Sequence, residues 1–148
     1  MIRRLLLLAL LSATSLAWAA DIDVRAYDHV LIAPTRTSIY IGSVRMTMPS
    51  FTRDREGTYS STYQAKVFPY FFYNEHGTLS ITVSDDQLRQ LARGEPVEFH
   101  GQGKSSEGEP RRIEGKATPV DPLTGKIKVR VFVSKKIQLI FNTTYRFE

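Results

Sequence analysis

The sequence predicts an all-β protein: a single antiparallel β-barrel or β-sandwich of about 7–8 strands, with one short helix at about residues 84–93. Three observations lead there. Period-two alternation of apolar and polar residues recurs along the chain, as in TLSITVS (78–84), KIKVRVFVS (126–134) and LIFNTTYRFE (139–148). Turn-forming stretches such as SSEGEP (105–110) and DPLTG (121–125) separate these runs. Only one segment carries both a helix start and a helix stop. Ser84-Asp85-Asp86-Gln87 has the form of a capping box, Leu88, Leu91 and Ala92 fall on one stripe, Gly94 suits the left-handed residue after a helix, and Pro96 forbids continuation.

The first element is a leader rather than part of the fold. Arg3 and Arg4 form a positive start, Leu5 to Leu11 an apolar run, and Ala17-Trp18-Ala19 a small-x-small cleavage pattern. The run is too short to span a bilayer comfortably, which takes roughly 20 residues. Residues 1–20 are therefore expected to be a signal peptide and 21–148 a single exported domain, periplasmic or secreted, with the outer membrane as the minority alternative.

The domain then reads as strands in succession. HVLIAP (29–34) is short. SIYIGSVRMTM (38–48) reads as one strand rich in β-branched residues, and Pro49 with TRDREG (52–57) as a loop. TYSSTYQAKVFPYFFYNE (58–75) is the longest run, and Pro69 places it at an edge, a bulge or a bend. His76-Gly77 reads as a turn into TLSITVS. Beyond the helix come VEFHGQG (97–103), RRIEGKAT (111–118), KIKVRVFVS and a last strand with Ile137, Leu139, Phe141, Thr143, Tyr145 and Phe147 on one face.

The terminal Tyr145-Arg146-Phe147 resembles the closing strand of bacterial outer-membrane barrels, which implies an apolar face turned to lipid. The neighbouring strands argue for an apolar face turned inward. Gly101, Gly103, Gly115 and Ala117 share the apolar face of 97–118, where they suit a tapered interior and make a poor lipid band. Several runs fall short of the roughly 9–11 residues of a spanning strand. Integral insertion is therefore not expected.

Composition narrows the chemistry. The chain has no cysteine, which excludes disulfide exchange, thiol catalysis and thiolate metal sites. Its formal charge is +5, and removing Arg3 and Arg4 leaves about +3, with the basic excess in the last third. That balance admits an anionic envelope partner such as lipid headgroups or acidic glycans. No nucleic-acid signature is present. The histidines, His29, His76 and His100, fit no metal spacing. With no nucleophile elbow, zinc-protease motif or phosphate loop, no catalytic, metal or cofactor residue is assigned.

Two groups are singled out for binding. Phe68, Tyr70 and Phe72 would form an aromatic platform on one strand, unless both faces of that strand are buried. Arg112, Lys116, Lys128, Arg130 and Arg146 would share one sheet surface for an anion, unless Glu98 and Glu114 simply pair with them across strands. The expected function is a non-catalytic binding module for an apolar or anionic envelope component, a lipid or glycan. The alternatives are an assembly protein that pairs through an edge strand into a homo-oligomer, and a small outer-membrane barrel.

Overall fold

The computed structural model describes residues 22–148; the expected leader lies outside them. The chain forms a closed eight-strand antiparallel barrel with two additional strands. The strands are β1 (His29–Ile32), β2 (Thr35–Ile39), β3 (Gly42–Thr47), β4 (Phe51–Arg53), β5 (Thr58–Phe68), β6 (Glu75–Thr82), β7 (Val97–Ser105), β8 (Pro110–Pro119), β9 (Thr124–Phe132) and β10 (Gln138–Phe147), with helix α1 (Asp85–Ala92) between β6 and β7. From β5 onward each strand pairs with the next. β1 closes the ring by pairing with β10 (Val30 opposite Phe147) and with β4, which in turn lies on β5. The terminal strand thus pairs with the first strand of its own chain.

β3 and β4 follow one another along the same edge of β5, and β2 continues the line of β1. The β2–β3 hairpin is therefore the upper extension of the β1–β4 pair. Between β2 and the upper half of β10 there is no ladder. Ala33 N–H donates to the Thr144 carbonyl (3.0 Å), Thr143 Oγ1 to the Ala33 carbonyl (3.0 Å) and Thr35 Oγ1 to the Asn142 carbonyl (3.1 Å), and above them the two edges face each other as a seam.

Alternation sets the inside and the outside. Ile32, Val44, Met46, Tyr63, Leu79, Phe99, Ile113, Ile127 and Phe141 are buried inward, while Arg45, Lys66, Lys104, Lys116 and Lys128 are exposed on the outer wall. The glycines on the apolar face do what their size predicts. A Cβ on Gly115 would lie 2.1 Å from the Phe99 ring, which fills that space instead.

One end is closed by side chains. Leu88 and Leu91 of α1 are buried there, Leu88 completely, and Phe51 is equally enclosed. Tyr27, in the 3₁₀ turn Val24–Tyr27, packs edge-on against Phe147 with ring centroids 4.7 Å apart. The Tyr59 hydroxyl donates to the Tyr27 carbonyl, and the Tyr27 hydroxyl to the Pro122 carbonyl at 3.0 Å. The predicted capping box is present, with Gln87 N–H donating to Ser84 Oγ and Ser84 N–H to Gln87 Oε1, and Gly94 takes φ +84°. Arg53 ties the helix to the barrel through the Val83 carbonyl (2.9 Å) and Asp85 (2.8 Å).

Two predicted strands are interrupted. Residues 38–48 form a hairpin rather than one strand: the chain turns at Tyr40-Ile41, and Gly42 leaves the turn at φ +114°, a value side chains rarely adopt. The 58–75 run ends at Phe68, where the Phe68–Pro69 peptide is cis and Phe71–Tyr73 form a 3₁₀ turn. His76-Gly77, expected as a turn, lies inside β6. In both interruptions apolar residues occupy positions where turn chemistry predicts polar ones.

Candidate functional site

The inward faces do not fill the barrel. Towards the end opposite α1 the facing residues are Ile39, Ala65, Val67, Val129, Val131 and Leu139, too small or too far apart to meet, and all are only partly buried. They leave a cavity of about 540 Å³. Small-molecule sites commonly measure ~300–1,000 Å³, and an eight-stranded barrel is about the narrowest that can hold one ligand. The floor is made by Phe51, Ile81 and Phe141, and the upper wall by Tyr73, Val133 and Ile137 of the loops at that end.

One polar cluster interrupts the apolar lining. Arg111 on β8 points inward in phase with Ile113, and Glu75 opens β6 in phase with Leu79. Arg111 Nη2 donates to Glu75 Oε1 at 2.7 Å across the end of β7, and the Tyr63 hydroxyl donates to Glu75 Oε2 at 2.6 Å. Arg111 Nη1 also donates to the Pro110 and Val133 carbonyls at 3.2 and 3.4 Å. The Glu75 hydrogen bond holds the Arg111 pKa above its ordinary value. Burial, followed by the same carboxylate, pushes the Tyr63 phenol up. The group is hydrogen-bonded and carries no net charge, so it presents a dipolar patch rather than an unpaired ion.

Four loops ring the mouth: 40–41, 69–74, 106–109 and 133–137. Strand order places the 40–41 turn between the 69–74 and 133–137 loops, with 106–109 diametrically opposite. Loops 40–41, 69–74 and 133–137 carry exposed apolar side chains: Tyr40 and Ile41, Phe71, Phe72 and Tyr73 with Phe68 just below, and Ile137. Gly42 sets loops 40–41 and 69–74 side by side, since a Cβ there would lie 1.9 Å from the Phe68 carbonyl oxygen.

The predicted site residues divide between these surfaces. Phe68 points outward at the end of β5, while Tyr70 and Phe72 sit in the loop beyond it, ring centroids 5.9 Å apart; they share a rim rather than a strand face. Arg112, Lys116, Lys128, Arg130 and Arg146 are all exposed on the outer wall of β8, β9 and β10. Lys116 lies opposite Lys128, and Arg130 opposite Glu114. Arg112 lies 4.0 Å from the centre of the Phe132 ring. Arg146 is set apart near the closed end, paired with Glu148 at 3.0 Å. The basic wall and the aromatic rim do not form one site.

Sequence reasoning missed Tyr63, Glu75 and Arg111. The signal was there: Glu75 and Arg111 each stand in phase with an apolar strand face, where a charge needs a partner. Also missed was a row of cations on the outer wall, Arg36 opposite Arg45 and Arg45 opposite Lys66. These residues lie on three strands; β3 and only the end of β2 fall in the single strand expected at 38–48, and Arg36 precedes it.

No protein-family model matches the chain, and no curated protein or solved structure is significantly similar to it. The functional reading therefore rests on geometry.

Proposed function

We propose that this protein is an exported, non-catalytic binding module that holds one apolar molecule, or the tail of an uncharged amphiphile, inside the barrel. The observation that carries this reading is the 540 Å³ apolar cavity, reached from the end ringed by the apolar loops. Apolar surface of that extent favours a ligand over water at roughly 25 cal/mol per Å² buried. The Glu75–Arg111–Tyr63 cluster gives orientation: a hydroxyl or amide group can hydrogen-bond there, whereas an anion would meet a carboxylate already in place. The charged outer wall favours this reading over a membrane-spanning barrel, whose lipid face is apolar.

The test is one-to-one binding of an uncharged long-chain probe such as a monoacylglycerol, read by native mass spectrometry and by displacement of a fluorescent analogue. Val131→Trp fills the cavity from β9 and should abolish binding while the far-UV circular dichroism stays that of the wild type. A wild-type protein that binds no such probe, or a Trp variant that binds it equally well, would defeat the proposal.

The seam favours a second reading, assembly through edge strands. β2 pairs with β3 on one side only, and the upper part of β10 pairs with β9 on one side only. Open edges accept another strand. A sedimentation coefficient that stays monomeric from micromolar to millimolar protein would dispose of it.

A further inference from the structure

We infer that the open end of the barrel docks on an anionic lipid bilayer, through the rim loops 40–41, 69–74 and 133–137. The inference is independent of what the cavity holds. Its first support is the exposure and shape of the apolar side chains. Tyr40 is fully exposed, and Phe71, Phe72 and Tyr73 are 75, 67 and 67 % exposed. Phe71, Phe72 and Tyr73 project as contiguous rings from one loop and Tyr40 from the neighbouring turn, all at the same end of the molecule. Phe and Tyr side chains presented this way suit the bilayer interface, where an apolar ring enters the acyl boundary and a phenol stays at the headgroups.

The second support is charge, placed at the matching depth. Arg36, Arg45 and Lys66 form a continuous outer row across β2, β3 and β5. The row lies two residues below the Ser43–Phe68 pair, or roughly 7 Å along the strands. Interfacial segments bury their apolar face by ~5–10 Å, so rim insertion brings this row to the phosphates. Lys135 and Lys136 immediately precede Ile137 on the neighbouring loop. No ion pair among the described residues engages these five cations. Like charges facing one another across strands are unfavourable in isolation, and an anionic surface removes that repulsion.

The third support is the asymmetry of the rim. The loop opposite the 40–41 turn carries Glu107 and Glu109 and no large apolar residue. The docking face is therefore three loops wide. The barrel should sit tilted, with 106–109 raised from the surface and the seam between β2 and β10 turned towards the lipid.

The experiment is co-sedimentation of the purified domain with vesicles of phosphatidylcholine alone and of phosphatidylcholine containing about one quarter phosphatidylglycerol. The wild type should partition onto the anionic vesicles and release from them as salt is raised, with little binding to the neutral ones. Arg36→Gln/Arg45→Gln/Lys66→Gln should weaken binding roughly 100-fold, and Phe71→Ser/Phe72→Ser by roughly ten-fold or more. Both sets are exposed, and unchanged melting curves verify that they fold. Val131→Trp should bind vesicles as the wild type does, which separates this surface from the cavity. Failure of the wild type to bind anionic vesicles overturns the inference, as does indifference to both sets of substitutions. So does a rim-dependent dimer, abolished by Phe71→Ser/Phe72→Ser, with no vesicle binding.

Discussion

At the end that carries α1, the links between strands are fixed by side-chain caps, and the exposed large apolar residues among those described are the scattered Val120 and Leu123. Asp121 accepts from the amides of Leu123 and Thr124 and from the Thr124 hydroxyl, Asp54 accepts from the amides of Glu56 and Thr58, and Ser84 caps the helix. At the other end, Tyr40-Ile41 and the Pro69–Tyr73 segment put large apolar residues in turns and leave them in water. The first end caps its turns with side chains and seals the core with Leu88, Phe51 and Tyr27, leaving Arg53 Nε and the Tyr145 hydroxyl as its buried side-chain polar atoms without a partner among the described residues. The second leaves small side chains facing a void and surrounds its mouth with rings. Where structure alone is at stake, local rules are kept; where they are broken, something other than folding accounts for the choice.

The sharpest way to break this contrast is alkaline titration. Burial raises the Tyr59 phenol and, with Asp121 adding to it, raises that of Tyr145 to about 12; Tyr27 is also raised. The unfolded chain releases these protons near pH ~10. The native state holds them longer, so stability is intact below that pH and falls as pH rises further. These three phenols lie at the sealed end and a fourth, Tyr63, beside the cavity, so circular dichroism should show cooperative unfolding between about pH 10 and 12.

A second measurement compares substitutions at the two ends. Leu88→Ala, at a fully buried site, should cost ~2–5 kcal/mol in urea denaturation. Phe71→Ser/Phe72→Ser at the rim should change stability by less than about 0.5 kcal/mol per site. Equal losses would mean that the rim is structural after all. Between these lies Glu75→Gln, which leaves the partly buried Arg111 without its carboxylate. It should lower stability by roughly 1–3 kcal/mol and alter binding of a polar-headed probe more than that of a pure hydrocarbon. Ser84→Ala should cost about 1 kcal/mol through the N-cap, more than either rim substitution and less than Leu88→Ala, with binding untouched.

Much of the sealed end was legible in the sequence. The helix, its capping box, the 121–125 turn and the inward set Phe141, Tyr145 and Phe147 follow from local pattern. Barrel closure did not, because the β1–β10 pairing joins chain ends that share no local signal. The open end misled for a physical reason. Tyr40-Ile41 and Phe71-Phe72-Tyr73 have strong strand propensity, so periodicity reads straight through two turns. The row of Arg36, Arg45 and Lys66 was hidden too, because Arg36 precedes the strand expected at 38–48 and meets Arg45 only once the hairpin is folded. The cavity could not be read at all, since alternation reports which residues face inward and not whether they meet.

The seam between β2 and β10 gives the barrel a mechanical property. A fully laddered hoop has a fixed girth, because widening it anywhere breaks main-chain hydrogen bonds. This hoop is laddered at the sealed end and slit beside the cavity, so it can widen at one end like a split collet while the other keeps its grip. Adaptation to guests of different thickness would then cost few backbone hydrogen bonds. It would be visible as fast amide exchange on the facing edges of Thr35–Ile39 and residues 138–142, with slow exchange at Val30, Leu31 and Tyr145.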